Sequence, residues 1–144
     1  MTVFRIVSAI AIIGLFVAGA VAQTSTKKSL LNPAALNAKA PDLFKANFDT
    51  SAGPIVIEVH RDWDPSGADR FYNLVKSGFL DGCRFFRVVP SFMVQFGING
   101  DPAVAAKWSD PAARIKDSPV KQGNLRGYVS FAKPQARDAR TRLC

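Results

Sequence analysis

At 144 residues the chain has room for one domain and its appendages. Hydrophobic residues make up 48%, a share raised by the N-terminus, and 11 Phe against two Tyr and two Trp suggest a core built on phenylalanine. The formal net charge of +8 favours acidic partners weakly, but Lys and Arg are scattered rather than gathered into the stripe of a nucleic-acid binder; one His and no Cys-x-x-Cys leave a zinc site or a Ser-His-Asp triad little to work with.

Residues 1–22 have three parts: a short basic start ending at Arg5, an apolar run from Ile6 to Gly19, and Ala20-Val21-Ala22 ahead of Gln23. This is the form of a cleavable signal peptide. The run is shorter than the ~20 residues a membrane-spanning helix needs. A periplasmic or secreted protein is expected, with no membrane association after cleavage; the other reading is an uncleaved signal anchor. In an oxidising compartment Cys83 and Cys144 have the option of pairing. The alternative for Cys83 is a small buried hydrophobe at the start of a strand.

Residues 23–44 read as a linker, without sustained periodicity, that either lies over the domain or floats. The domain is expected over 45–144. Ala46–Thr50 is a strand candidate and Ser51-Ala52-Gly53-Pro54 a turn. Ile55, Ile57 and Val59 then alternate with Val56, Glu58 and His60, so the two strands form a hairpin with one apolar face. Asp64 is a good N-cap and Pro65 suits the first helical position. Ala68, Phe71, Leu74 and Val75 fall on one helical face, and Gly78 is a natural stop, which predicts a helix over 65–77.

Strand candidates follow at Arg84–Val89 and Phe92–Phe96, with Pro90-Ser91 as the turn between them. Residues 98–126 read as a long loop with a helical turn over Ala103–Trp108, and a loop of that length is often functional. Gly127–Ala132 is a last strand, and residues 133–144 form a charged, aperiodic tail. The order gives a mainly β fold with a capping helix. Periodicity alone does not choose between a barrel and an α+β sandwich.

Phe85 to Gly97 carries the strongest signal. Two apolar runs flank the Pro-Ser turn, with Arg87 inside the first and Gln95 inside the second. An arginine is costly to bury unpaired, so Arg87 either escapes to solvent or works on a partly sheltered face. Taken singly, each residue here has a structural reading. Phe92 and Met93 are core, Gln95 faces solvent, and Arg87 pairs with Glu58 or Asp81.

Together, the block Phe85-Phe86-Arg87 with Phe92-Met93-Val94-Gln95-Phe96-Gly97 resembles the signature of the cyclophilins, the barrel-shaped peptidyl-prolyl cis/trans isomerases. Ile55-Val56-Ile57-Glu58, Ala68–Val75 with Gly78-Phe79, and Gly127-Tyr128-Val129-Ser130-Phe131-Ala132 extend the resemblance over about 45–134. The resemblance implies a closed antiparallel β-barrel with a helix at each end. It implies Arg87 as catalytic residue, and Gln95 beside it to hydrogen-bond the substrate backbone. Phe92 and Met93 would receive the substrate proline, and Ala132 would line the groove. It implies proline-containing polypeptides as partners, with a monomer acting alone and without metal or cofactor.

After Ala132 the family's continuation is absent. Lys133 stands where the family has asparagine, and Lys133–Cys144 departs from its pattern. The last strands and the second helix are therefore expected to be missing, and the isolated domain to be of marginal stability. Three functions stay open: an exported isomerase, a proline-peptide-binding module without catalysis, and an inactive remnant.

Overall fold

The computed structural model describes residues 29–132 and 138–139. Residues 1–22, read as a leader, the Cys144 end of the possible disulfide and the side chains of the charged tail lie outside the described residues. No helix among the described residues is long and apolar enough to cross a membrane.

Strands β1 (Leu43–Thr50) and β2 (Gly53–His60) form an antiparallel hairpin in register from Leu43↔His60 to Thr50↔Gly53. The turn is Ser51-Ala52. Gly53 follows at φ +114°, which glycine adopts at little cost. Thr50 Oγ1 fastens this turn, donating to Gly53 O at 2.6 Å and accepting from Ala52 N at 3.2 Å. One face of the hairpin turns Phe44, Ala46, Phe48, Ile57 and Val59 to the core.

Helix α1 spans Pro65–Lys76. Asp64 caps it by accepting from the Gly67 N–H at 3.0 Å, and Pro65 fills the position where no donor is needed. Its C-terminus is closed by two crossed bonds, Gly78 N to Val75 O at 3.1 Å and Phe79 N to Leu74 O at 3.0 Å. Gly78 takes φ +70°, and Phe79 folds back to be buried beside Leu74. Phe71 stacks against both Phe44 and Phe48, at ring-centroid distances of 6.3 and 6.2 Å. Each such side chain, fully buried, contributes about 1.5–3 kcal/mol.

Two short strands follow, β3 (Arg87–Val89) and β4 (Met93–Gln95), and then helix α2 (Pro102–Ser109). Asp101 caps α2 by accepting from Ala103 N at 2.9 Å. A second helix is therefore present, where a loop with one helical turn was expected. Val104 and Trp108 anchor it in the core. Within the remaining loop, β5 (Ile115–Lys116) pairs antiparallel with β6 (Asp138–Ala139), a pairing that no hydrophobic pattern announces.

The closed barrel implied by the resemblance is not seen. The described strands form three separate two-stranded sheets, β1–β2, β3–β4 and β5–β6. Closure needs one continuous ladder of hydrogen bonds. The segment expected to extend it, Gly127–Ala132, is not a strand. Gly127 has φ +89° and the Tyr128 N–H turns back to Leu125 O at 3.0 Å, so the chain bends where a strand must be extended. Only Phe131 in this segment makes a bridge.

The stretch read as a linker is packed from residue 29 onward. Leu30 and Ala40 are buried, and Trp108 Nε1 donates to Leu30 O at 2.7 Å. Asn73 on α1 grips Ala38 with two bonds, accepting from its N–H at 3.1 Å and donating to its carbonyl at 2.7 Å. Asp69, one turn earlier, accepts from Ala40 N at 2.8 Å.

Candidate functional site

The β3–β4 hairpin holds four of the five residues singled out in the sequence. Its register is Arg87↔Gln95, Val88↔Val94 and Val89↔Met93. Directly opposed residues of an antiparallel pair share a face, with Cβ atoms about 4.5–5.5 Å apart. Arg87, Val89, Met93 and Gln95 thus lie on one face, and Val88 and Val94 on the other. Phe86 N donates to Gln95 O at 3.1 Å and continues the pairing one residue past Arg87.

The hairpin is seated through the rings that flank it. Phe96, next to Gln95, lies edge-on to Phe48 of β1 at 6.0 Å and tilted against Phe85 at 5.2 Å. Gln95 is 7% exposed and Met93 is half-buried, whereas Arg87 is exposed. Phe92 sits in the turn at 79% exposure, so its ring is neither core nor enclosed in a pocket. Ala132 is half-buried on a different segment, next to Phe131, which packs against the main core.

Arg87 makes no ion pair among the described residues. Glu58, one partner considered for it, is engaged elsewhere. It accepts from His60 Nε2 at 2.9 Å and lies 3.3 Å from Lys45 Nζ. The His60 hydrogen bond and then Lys45 hold the Glu58 carboxyl below the usual carboxylate range. Asp81, the other, is exposed; burial, and after it the Asp81 charge, push the Cys83 thiol up. Cys83 is half-buried and lies four residues before β3, not at the start of a strand, with its Sγ directed at Ile98 O at 3.1 Å.

Two groups of residues were not anticipated. The first is Arg61, Asp69 and Asn73, which tie the segment before β1 to the domain. Arg61 donates to both Asp69 carboxylate oxygens, at 2.8 and 2.9 Å. This bond holds the Asp69 carboxyl below its ordinary value, assisted by the Ala40 N–H. The spacing of Asp69 and Asn73 by four on α1 was the available signal. The second is a parallel ring stack, His60 on Trp63 at 4.3 Å and Trp63 on Tyr128 at 5.9 Å, which fixes the loop before Phe131.

The sequence profile of the family described as cyclophilin type peptidyl-prolyl cis-trans isomerase/CLD matches residues 45–142. Peptidyl-prolyl cis-trans isomerase A of Dickeya dadantii is 34% identical over 92 residues, covering 64% of this chain and 47% of that protein. Peptidyl-prolyl cis-trans isomerase ppi1 of Schizosaccharomyces pombe is 43% identical over 55 residues, 38% of this chain and 34% of that protein. Peptidyl-prolyl cis-trans isomerase-like 3 of Neurospora crassa is 33% identical over 89 residues, 58% of this chain and 53% of that protein. The chain spans about half the length, or less, of these relatives. No solved structure matches it. With the profile covering more than half of the chain, and with most of β1, all of β2 and α1, and the Arg87–Gln95 hairpin inside the matched residues, this chain belongs to the cyclophilin-type peptidyl-prolyl cis-trans isomerase family.

Proposed function

We propose that the chain is a peptidyl-prolyl cis/trans isomerase that accelerates Xaa-Pro isomerisation and assists protein folding outside the cytoplasm. The observation that carries this reading is the cross-strand pair Arg87↔Gln95, with Met93 on the same face and Phe92 at the adjoining turn. The leader-like pattern of residues 1–22 supports an exported setting, periplasmic or secreted.

The chemistry asks little of the protein beyond placement. Amide resonance sets a barrier of ~18–20 kcal/mol, so an Xaa-Pro bond turns over in tens to hundreds of seconds. A catalyst has to favour the twisted amide over both planar forms. In the twisted state the proline nitrogen regains a localised lone pair, and a guanidinium that donates to it weakens the resonance. Arg87 has the required donors, permanently charged and rigidly arranged. A millionfold acceleration needs about 8 kcal/mol, and one charge-assisted bond supplies ~1.5–3 kcal/mol. The remainder rests on holding the substrate: Gln95 on the flanking backbone, Phe92 and Met93 on the proline ring, and Ala132 leaving space beside it. The substrates are proline-containing polypeptides, taken by a monomer.

The 79% exposure of Phe92 favours a second reading, a module that binds proline peptides without catalysis. Two-dimensional exchange NMR of an Ala-Pro peptide mixed with the chain decides between them. Cis/trans exchange cross-peaks that vanish with Arg87→Ala support the isomerase. Peptide shifts on binding without exchange support the binding module. Neither shifts nor exchange overturns both readings and leaves an inactive remnant.

A further inference from the structure

The turn that carries Phe92 has an unusual backbone. Val89↔Met93 is the last pair of the hairpin, and the Phe92 N–H closes the turn on Val89 O at 3.1 Å. Between these ends, Ser91 has φ +59°, the only positive φ at a non-glycine residue among the described residues. Pro90 precedes it, with a ring that fixes its own φ near −65°. Proline followed by a residue of positive φ, closed by a bond from the fourth N–H to the first carbonyl, is the pattern of a type II turn. Its third position ordinarily takes glycine or asparagine. Serine there holds the left-handed conformation against its own preference.

Strain of this kind persists only where the surroundings over-determine it, and an observed outlier is the legitimate start of a functional inference. Here the surroundings are the Val89↔Met93 pair on one side and the locked proline on the other. The hand of residue 91 sets the direction in which the next residue leaves the turn. That next residue is Phe92, whose ring has nothing packed over it to hold it in place.

We infer that Ser91 is a positioning residue: its left-handed conformation sets the direction in which Phe92 leaves the turn, beside the face that carries Arg87, Met93 and Gln95. This rests on the proposed reading of that face as the proline site, and it adds a determinant that touches neither substrate nor reacting atoms. Side chains that tolerate the left-handed region keep that direction. A β-branched side chain, stiff at χ1 and disfavoured there, loses it.

The test compares Ser91→Asn, Ser91→Gly and Ser91→Val in the full chain. The readouts are the affinity and exchange rate of an Ala-Pro peptide by NMR, and hydrogen-exchange protection of the Phe92 amide. Ser91→Asn is expected to keep affinity within about twofold, and Ser91→Val to weaken it about tenfold, the scale of one backbone penalty. Amide signals of Phe71 and Leu74 report that α1 stays folded in each variant. Phe92 protection should survive in Ser91→Asn and Ser91→Gly and collapse in Ser91→Val. Equal protection and equal affinity in all variants overturn the inference, as does a Ser91→Asn variant that fails alongside Ser91→Val. If the unmodified chain binds no proline peptide, the isomerase reading falls. The Phe92 protection series then still decides whether residue 91 sets the turn.

Discussion

Asn73 holds Ala38 as a neighbouring strand would, taking its N–H at 3.1 Å and offering an N–H to its carbonyl at 2.7 Å. The same Nδ2 also donates to Asp69 O at 2.7 Å, so one buried amide satisfies three backbone groups. Asn73→Ala removes the partner of both Ala38 backbone groups, while Asp69 O keeps its bond within the helix. We expect a loss of about 2–3 kcal/mol, read as a lower urea midpoint at unchanged m. Asn73→Asp should not rescue it, because a carboxylate cannot donate to Ala38 O.

The neighbouring Asp69 gives the fold an acid limit. Arg61 holds its carboxyl below the ordinary value, so the folded form binds the proton less readily than the unfolded chain. Its stabilisation is therefore complete above the unfolded value of about 3.9 and is lost as pH falls through the lower, folded value. Urea midpoints between about pH 6 and pH 2 should drop more steeply in the natural chain than in Asp69→Asn. Equal slopes would remove Asp69 as the cause.

Trp108 joins the first described residues to α2. It is buried, donates to Leu30 O at 2.7 Å, and has the Arg70 guanidinium 5.1 Å above its ring. Trp108→Phe keeps most of the packing and loses the hydrogen bond, which should cost about 1 kcal/mol. Trp108→Ala opens the core and should cost about 3–5 kcal/mol. A chain starting at Pro41, without Leu30, should fall between them in a thermal melt.

Under the proposed reading, Arg87 separates function from stability. It is exposed and without an ion pair among the described residues, so Arg87→Ala should change the unfolding free energy by no more than about 0.5 kcal/mol and barely move the thermal midpoint. Exchange catalysis should fall at least about a hundredfold, the scale of losing one transition-state donor. Arg87→Lys should recover little of it, since an ammonium lacks the fixed fork of donors.

The far face of the same hairpin predicts association. Val88, 63% exposed, is paired across the strands with Val94, also exposed, and β3–β4 adds no third strand among the described residues. Exposed apolar strands with open edges invite pairing between molecules. Val88→Lys should lower concentration-dependent light scattering without reducing catalysis, because Val88 lies opposite the Arg87 face.

Helix α1 was legible in the sequence because its determinants are local: Asp64 and Pro65 at one end, Gly78 at the other, and Ala68, Phe71 and Leu74 between. The β1–β2 hairpin was legible from alternation, but its start was placed late. Pro41 punctuates the chain, and Leu43 and Phe44 were read with the linker before them. The stretch 30–40 carries no periodicity because it contributes isolated side chains and backbone groups. What holds it, Asp69, Asn73 and Trp108, lies 29 to 78 residues away. In the candidate site, the facing of Arg87 and Gln95 follows from the turn between them. The openness around Phe92 does not, since no local pattern says what packs over a turn residue. The left-handed Ser91 was hidden too, because serine is not the residue that such a turn advertises.

The bond between Trp108 and Leu30 spans 78 residues, and that separation sets an order of events. During synthesis Leu30 emerges long before the residue that completes it. At roughly 5–20 residues per second, the interval is several seconds. Over that time the hairpin and α1 can form from nearby contacts and take hold of Ala38 and Ala40, while the chain around Leu30 stays unlocked, its carbonyl hydrated and its backbone open to proteases. Low-separation contacts form first and the long closure comes last. Limited proteolysis of stalled nascent chains should therefore cut near Leu30 until Trp108 has cleared the exit tunnel, and should lose cuts near Ala38 and Ala40 earlier, once Asn73 and Asp69 have emerged.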